Sequence, residues 1–453
     1  MLTLFSDLHL TDESTAENVP PQAFAILQDD IVSHAKDKAD EIWVVMLGDI
    51  FDLVRTDYWL RQPERERPWF GNISTTTGMN DDAGVIEGHF KKILTSITET
   101  ESGKALINMV NNLKGLTGKK VKVSYVIGNH DRAFNNFDSL KDIVKPQFNN
   151  VDEFEYCNYI QADEYGTLCR HGHEFDDNNH GLSIYKYFQR KSGKKLDYVN
   201  RFDEEVYKVM SIGEVITCEL MSGIIYKVKN SGGSSTFVNL IKDLNNVRPM
   251  SDVFLWLYWY GSTLSNTDKD ILLQSFKESI KTVISCPFGK EWDNTVTELW
   301  YFKGDITDRF EQLLNLIEDK NFDQIAKVVD IFKFFDNIFG GSKDDLVVGA
   351  KEEFKQNAYK DIQYILYGHT HEARQDYFYG EPSGKVKLYI NTGTYLPYIQ
   401  QSEGDNGFAT AYQMTMAFIY KRTEDKDNGK DNGNPTLDIW NGIKRKVYNK
   451  EIQ

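Results

Sequence analysis

The sequence predicts an α/β fold interrupted by a large, mostly helical insertion. In the first third of the chain, short apolar runs typical of strands alternate with stretches of helical periodicity, and strand-like runs return after 360. Between them, over 177–359, the pattern is helical and rich in aromatic residues. Alternating strands and helices are typical of a sheet with helices on its faces. We therefore expect one domain formed by 1–176 and 360–453, with 177–359 inserted as a cap or interaction subdomain.

The N-terminal elements follow this alternation. Strands are predicted at LTLFS (2–6), EIWVVML (41–47), KVSYVI (122–127), EFEYCNYI (153–160) and GTLCR (166–170). Amphipathic helices are predicted from Gln22 to Ala39 and from about Gly84 to Leu113.

The C-terminal elements are predicted to be strands. They are IQYILY (362–367), KVKLYIN (385–391), ATAYQMTMAFIYKR (409–422) and TLDIWNGIKRKVY (436–448). The charged segment 424–435 is rich in turn-forming residues, so we expect a solvated loop between the last two strands.

The net charge restricts the classes of partner. Among 453 residues, 68 are acidic and 52 are basic, which gives a net charge of −16. Such a chain repels phosphate backbones and anionic lipid head groups unless its basic residues are clustered. Nucleic acid is therefore not an expected partner.

Cysteine usage and hydropathy predict a cytoplasmic protein. The four cysteines are widely spaced and form no CxxC pair, which argues against a disulfide framework and a structural zinc knuckle. The opening MLTLFSDLHL lacks the basic leader and long apolar core of a signal peptide. The most apolar internal run, Val253 to Gly261, is shorter than the roughly 20 residues that span a bilayer. We expect no transmembrane segment and interpret this run as a buried element.

Five short polar motifs interrupt the framework. They are DLH (Asp7, His9), GDIFD (Asp49, Asp52), GNHD (Asn129, His130, Asp131), HGH (His171, His173) and GHTH (His369, His371). Four of them directly follow a strand-like run, and HGH follows the weaker strand GTLCR. Ligands of open α/β folds gather at the carboxyl ends of strands, so all five motifs are expected to converge.

The residue types in these motifs are those of a metal site. Carboxylate, imidazole and amide oxygen bind divalent ions, and the lack of thiolate argues against a structural zinc site. Residues at i and i+2 of an extended chain point to the same side, as Asp7 and His9 would. Glycines at 48, 128, 172 and 368 would allow tight bends. Each motif alone could be an ordinary turn, yet six of the nine histidines fall in these segments.

The ordered set D-x-H, G-D-x-x-D, G-N-H-D, H-G and G-H-x-H resembles the signature of the calcineurin-like metallophosphoesterase superfamily. The motifs lie within 1–176 and 361–400, so the insertion and the C-terminal tail are outside the resemblance. The resemblance implies a two-sheet α/β sandwich with a dinuclear metal centre at the carboxyl ends of its strands. It also implies that 1–176 and 360–453 form the catalytic domain of a hydrolase acting on phosphoester bonds.

The resemblance further implies a role for each ligand position. One metal would be held by Asp7, His9 and His371. The second would be held by Asn129, His171 and His369, and Asp49 would bridge the two. The ions could be Mn, Fe, Zn or Co, because mixed nitrogen and oxygen ligands accept all four.

Four further motif residues have predicted roles beside the ligands. His130 matches the superfamily's non-ligand histidine next to the phosphate, and Asp131 matches the carboxylate that orients it. Asp52 and His173 are candidates for supporting a ligand or facing the substrate. For His173 a second interpretation is equally open, in which it is a loop histidine paired with Glu174 or Asp176.

The implied reaction is the hydrolysis of a phosphate mono- or diester, as in a phosphatase or phosphodiesterase, by a metal-bridging hydroxide. Two cations about 3.5–4 Å apart lower the pKa of a shared water and bind phosphoryl oxygens for in-line attack. A positioned imidazole such as His130 can assist the leaving oxygen. The protein Ser/Thr phosphatase branch is disfavoured, because Leu53 rather than arginine follows Asp52.

Two alternatives stay open at this point. The segment GDIFDLVRTDYW is similar to the UDP-diacylglucosamine pyrophosphohydrolases, whose inserted helices cover an acyl chain. A nucleotide- or lipid-linked pyrophosphate is therefore an alternative substrate, and the insertion could contact a lipid or a partner. A non-catalytic scaffold is the alternative of another class, although every ligand position and His130 are filled.

Overall fold

Two mixed β-sheets and a set of helices make up the fold, which confirms the predicted α/β class with two sheets. The computed structural model describes residues 1–193, 199–261, 263–295, 306–318, 343–379, 386–402, 407–426 and 434–443. The predicted elements at 319–342 and 444–448 lie outside these residues.

The strands agree closely with the apolar runs of the sequence. In chain order they are β1 (Leu2–Phe5), β2 (Glu41–Leu47), β3 (Lys120–Val126), β4 (Glu153–Cys157), β5 (Tyr159–Ala162), β6 (Thr167–Arg170), β7 (Tyr364–Tyr367), β8 (Ala373–Tyr379), β9 (Val386–Thr392), β10 (Pro397–Gln401), β11 (Phe408–Tyr420) and β12 (Thr436–Ile443). Two of these strands, β8 and β10, were not predicted.

The first sheet has the strand order β10-β11-β1-β2-β3-β4, with β12 also paired to β11. Its strands β1 to β4 are parallel, whereas β11 runs antiparallel to β1, β10 and β12. The second sheet has the order β5-β6-β7-β9-β8, and its central strands β6, β7 and β9 are parallel. The run predicted as one strand over 153–160 is divided at Asn158, so that its halves belong to different sheets.

The two sheets face each other across a shared apolar cluster. Val45 and Leu47 of β2 lie in this cluster together with Leu366 of β7 and Ile390 of β9. The intervening side chain of Met46 lies in the larger cluster formed with the helices. Successive side chains of a strand point to opposite faces of the sheet. A continuous apolar run such as EIWVVML is therefore typical of a strand whose two faces are both buried.

The α-helices of the described residues are Pro21–Ala35, Tyr58–Arg61, Ala83–Glu99, Glu101–Thr117, Asp138–Val144, Leu182–Lys191, Glu204–Tyr207, Ile212–Val215, Gly223–Asn230, Ser235–Ile241, Val253–Gly261, Asn266–Ser285, Pro287–Asp293, Ile306–Ile317 and Lys343–Glu353. The helix predicted over 84–113 is two helices. The chain breaks at Thr100, whose hydroxyl accepts a hydrogen bond from the Gly103 amide and so caps the second helix.

The predicted solvated loop at 424–435 is partly wrong. Glu424 is buried, and its carboxylate accepts a hydrogen bond from the amino group of Met1 at 2.7 Å. A buried carboxylate needs such a charged partner, which the sequence pattern of the loop did not reveal. The central part of this loop, 427–433, lies outside the described residues.

The described part of 177–359 packs into the same core as the rest of the chain. One apolar cluster contains Val44 and Met46 of β2 as well as Ile224 and Ile280 of the insertion. Three buried or nearly buried ion pairs also cross this boundary, each from an arginine of 1–176 to a glutamate of the insertion. They are Arg67 with Glu219, Arg132 with Glu214 and Arg170 with Glu353.

One helical stretch, Glu204–Asn230, has the length and apolar composition needed to cross a bilayer. Of its most apolar window, 83% is buried inside the protein, as in a core helix of a soluble protein. The apolar run Val253–Gly261 forms a helix in which Trp256 and Leu257 are buried. This agrees with its interpretation as a buried element.

We expect Glu214→Ala to lower the free energy of unfolding by about 3–5 kcal/mol, because it leaves the buried Arg132 guanidinium without its carboxylate. Arg132 donates from Nε and Nη2 to the two Glu214 oxygens at 2.7 and 2.9 Å. Denaturant unfolding measures the change. The matched control is Glu205→Ala, since Glu205 forms an exposed pair with Lys208. Equal losses in both variants would contradict the prediction.

Candidate metal centre

The five motifs converge at the carboxyl ends of parallel strands from both sheets. Asp7 follows β1, Asp49 follows β2 and Asn129 follows β3, while His171 and His369 follow β6 and β7 of the second sheet. Backbone hydrogen bonds hold these loops together. The Asp7 amide donates to the Gly48 carbonyl at 3.1 Å, and the Gly368 amide donates to the His171 carbonyl at 2.8 Å.

The backbone is left-handed at five of the predicted ligands. The φ angles are 51° at Asp7, 42° at His9, 52° at Asp49, 71° at His369 and 63° at His371. Our expectation that Asp7 and His9 share a side of an extended chain is therefore wrong. Non-glycine residues rarely adopt this conformation, and it is concentrated at functional sites. Sharp bends at the strand ends, rather than strand alternation, direct these side chains inward.

At two motif positions, 128 and 368, glycine is required because a neighbouring carboxylate lies very close to the backbone, and not because the backbone is left-handed there. A Cβ atom on Gly128 would overlap the carboxylate of Asp49, and one on Gly368 would overlap that of Asp7. Gly48 and Gly172, in contrast, have positive φ angles of 86° and 108°. The glycines thus let neighbouring loops pack directly against the carboxylates.

Asp7, His9 and His371 form the first group that could hold a metal ion. His9 Nε2 lies 2.8 Å from His371 Nε2 and 3.8 Å from Asp7 Oδ1. His371 Nε2 lies 3.6 Å from Asp7 Oδ1. All three residues are buried, so their ligand atoms face one another rather than solvent.

Asp49, His171 and His369 form a second such group, and His9, Asp49 and His130 form a third that shares His9 with the first and Asp49 with the second. His171 Nε2 lies 3.2 Å from Asp49 Oδ2 and 3.1 Å from the amide oxygen of Asn129. Asp49 Oδ2 is also 3.6 Å from His9 Nε2, so its carboxylate reaches both groups. Burial disfavours the ionised carboxylate, but the nearby His171 and His130 rings hold the pKa of Asp49 well below its ordinary value.

Hydrogen bonds fix the orientation of three ligand rings. His171 Nδ1 lies 3.0 Å from the Leu47 carbonyl, and His9 Nδ1 lies 2.7 Å from Asp52 Oδ2. His369 Nε2 lies 3.0 Å from Asp176 Oδ2. Such contacts on one ring nitrogen direct the other at a metal. Asp176, considered in the sequence only as a partner of His173, therefore supports His369 instead.

The carboxylate beside the His130 ring is Asp52 and not Asp131. Asp52 Oδ2 lies 2.9 Å from His130 Nδ1, as well as contacting His9. Burial raises the pKa of Asp52, but the His130 and His9 rings outweigh it and hold that pKa well below its ordinary value. Asp52 thus positions two histidines of the site.

The role predicted for Asp131, orienting His130, is corrected by its contacts. Its buried carboxylate accepts hydrogen bonds from the Gly128 amide at 2.5 Å, the Ile50 amide at 3.1 Å and the Tyr125 hydroxyl at 2.6 Å. Both oxygens of the Asp131 carboxylate are thus occupied by donors other than the His130 ring. Asp131 therefore joins the GNHD loop to the GDIFD loop.

His173 belongs to none of the three metal groups in the part of the chain that the structure describes. It is buried, its Nδ1 lies 3.7 Å from Glu174 Oε2, and its ring contacts His180 and Tyr207. Burial lowers the pKa of His173 to about 3, so the ring is neutral at physiological pH. Within the described residues His173 Nδ1 makes no hydrogen bond, and its ring centroid lies 5.4 Å from that of His171 and 6.4 Å from that of His369. His173 therefore packs beside two of the predicted ligands, in a buried position and not in an exposed loop.

The donor set fits divalent cations. Imidazole nitrogens and carboxylate oxygens converge within 4.8 Å in each group, and the Asn129 amide oxygen lies 3.1 Å from His171 Nε2. The side chains that supply these atoms are almost entirely buried. Like-charged carboxylates and inward-facing imidazoles held this closely need a cation to offset their desolvation. No protein-family model and no curated protein matches the chain.

We expect His171→Ala to lower metal affinity by more than roughly 100-fold, because removing even a supporting residue costs 10- to 100-fold. The matched substitution His173→Ala, two residues away, removes a ring that packs beside His171 but belongs to none of the metal groups of the described residues, and it should lower metal affinity much less. Metal titration followed by elemental analysis measures both. A similar loss of metal in the two variants would contradict the assignment.

Proposed function

We propose that the protein is a metal-dependent phosphoesterase of the calcineurin-like metallophosphoesterase type, with two divalent ions at the Asp49 site. The observation that carries the proposal is the Asp49 carboxylate, which lies between two histidine-containing groups while its other oxygen accepts the His130 amide at 2.8 Å. Two ions sharing a carboxylate supply an activated water and bind phosphoryl oxygens.

The residues of the chain divide the remaining work in this proposal. Asp7, His9 and His371 would hold one ion, and Asn129, His171 and His369 the other. His130 lies at the rim of the cluster with its side chain 11% exposed, and its Nδ1 lies 2.9 Å from Asp52 Oδ2. In this proposal the His130 ring would donate a hydrogen bond to the phosphoryl group or the leaving oxygen.

An esterase assay tests the proposal. Purified protein, freed of metal and reloaded with Mn²⁺, is incubated with aryl phosphate monoesters and diesters, and the released phenol is measured. We expect hydrolysis that disappears with chelator and returns with Mn²⁺. Activity no greater than that of a His130→Ala variant on every ester would instead favour the non-catalytic scaffold. Hydrolysis confined to a pyrophosphate-linked substrate would favour the pyrophosphohydrolase alternative.

We also propose a cytoplasmic location. All four cysteines are free, and the three buried ones are held among apolar residues, as is usual in a reducing compartment. Fractionation of cells expressing the full chain tests this, and recovery in the membrane fraction would contradict it.

A further inference from the structure

Two arginines beside the candidate metal centre have little carboxylate compensation within the described residues: Arg55 shares the Asp52 carboxylate with two histidines, and Arg248 has no carboxylate within ion-pair distance. Arg55 follows the GDIFD motif, and Arg248 belongs to the insertion. Both lie close to the centre, because Arg55 contacts Asp52 and Arg248 contacts His371. Neither belongs to any of the motifs.

Arg55 is only 4% exposed, and its charge is poorly neutralised. Its Nε lies 3.3 Å from Asp52 Oδ2, but that oxygen is already contacted by His9 and His130 at shorter distances. Within the described residues, Nε and Nη1 of Arg55 are buried and have no hydrogen-bond partner. A buried donor without an acceptor is rare and calls for a ligand or a special role.

Arg248 places a second guanidinium group beside the candidate metal centre. Its Nη1 donates to the backbone carbonyls of Asn245 and Val247 at 2.7 and 2.8 Å, which fixes the group. Its Nη2 lies 2.5 Å from His371 Nδ1. Among the residues that the structure describes, no carboxylate lies within ion-pair distance of Arg248. Burial, together with the charge of Arg55, lowers the pKa of Arg248 to about 10, so it stays charged at neutral pH.

We propose that Arg55 and Arg248 form a binding site for the phosphoryl group of a phosphate monoester, with Arg248 supplied by the insertion. Guanidinium groups bind phosphate oxygens through paired, charge-assisted hydrogen bonds. The inference rests on the proposed phosphoesterase activity and narrows its substrate class.

The number of charges favours a monoester over a diester. A phosphate monoester has its second pKa near 6 and carries close to two negative charges at neutral pH, whereas a diester carries one. One guanidinium group that shares its carboxylate with two histidines and a second that has none within the described residues match the additional charge.

Binding of inorganic phosphate to the Mn²⁺-loaded full chain tests the site without requiring turnover. We expect Arg248→Met to weaken phosphate binding by roughly 10-fold or more in calorimetry, as does the loss of a charge-assisted hydrogen bond. Arg248→Lys keeps the charge and should restore part of the affinity. Arg55→Met should weaken phosphate binding to a similar extent. If the Arg55→Met protein does not fold, because Arg55 is the more deeply buried of the two, the Arg248→Met variant still tests the site. The matched control is Arg65→Met, whose side chain is 84% exposed.

Steady-state kinetics supply the second readout. In the Arg248→Met variant, kcat/KM should fall more for an aryl phosphate monoester than for the corresponding diester, with metal content unchanged. Phosphate affinity equal to wild type in both arginine variants would overturn the inference. Equal losses on both esters would overturn the monoester assignment, and loss of metal from Arg248→Met would assign Arg248 to positioning His371. Wild-type protein that binds phosphate through both arginines but hydrolyses no ester would contradict the proposed function and leave the binding site intact.

Discussion

Substitution of Asp49 by alanine is expected to remove bound metal and to abolish phosphoesterase activity. Asp49 Oδ2 lies near His171 and His9, so its loss takes one ligand from each metal group. We expect metal affinity to fall by more than roughly 100-fold, beyond the 10- to 100-fold typical of residues that only support a ligand. Elemental analysis after gel filtration, together with the aryl phosphate assay, measures both losses.

The controls for this experiment separate metal loss from unfolding. Asp49→Asn keeps the volume and an oxygen that can still accept the His130 amide hydrogen bond. Asp138→Ala removes a 91% exposed carboxylate and should leave metal content and rate unchanged. Wild-type metal stoichiometry in the Asp49→Ala protein would show that the bridging assignment is wrong.

Substitution of His130 by alanine should have the opposite pattern, with metal retained and the rate reduced. His130 lies at the rim of the cluster and is held by Asp52, so we expect kcat to fall by roughly 10²- to 10⁴-fold, the usual contribution of a general acid or base. KM should change much less. Asp52→Asn should also lower kcat, whereas Asp131→Asn should chiefly lower stability, because Asp131 contacts Gly128, Ile50 and Tyr125.

His34→Ala is the matched control for His130→Ala. The His34 ring stacks on Phe418, with ring centroids 3.9 Å apart, and is in none of the metal groups of the described residues. Loss of metal from the His130→Ala protein, or a kcat equal to that of wild type, would contradict the role proposed for His130.

The buried strands were predictable because their apolar runs are short and continuous, as in EIWVVML and IQYILY. The strand β8, with the sequence ARQDYFY, was missed because charged residues and the exposed Tyr377 obscure any apolar pattern. Asn158 was read as the interior of one strand, although the chain there passes from one sheet to the other. Pairing partners of strands depend on the tertiary structure, which periodicity alone does not contain.

The convergence of the five motifs was predictable, whereas the contacts that surround the motif residues were not. The order of the motifs and their positions at strand ends indicated that Asp49 and His171 lie in one site. The prediction that Asp131 orients His130 was wrong, because it rested on adjacency in the sequence. The left-handed bends determine which carboxylate faces which ring, and no spacing rule describes them. Arg248 could not be found at all, since it lies far along the chain from His371 and carries no motif.

The three arginine–glutamate pairs between 1–176 and the insertion constrain how this sequence can change over evolution. Arg132 directly follows the GNHD motif, and Arg170 directly precedes His171, so two of the pairs adjoin metal-site loops. Losing either partner alone leaves a buried charge. We therefore expect the arginine and the glutamate of each pair to be gained and lost together. The insertion would then be inherited together with 1–176 and could not be exchanged as a separate module.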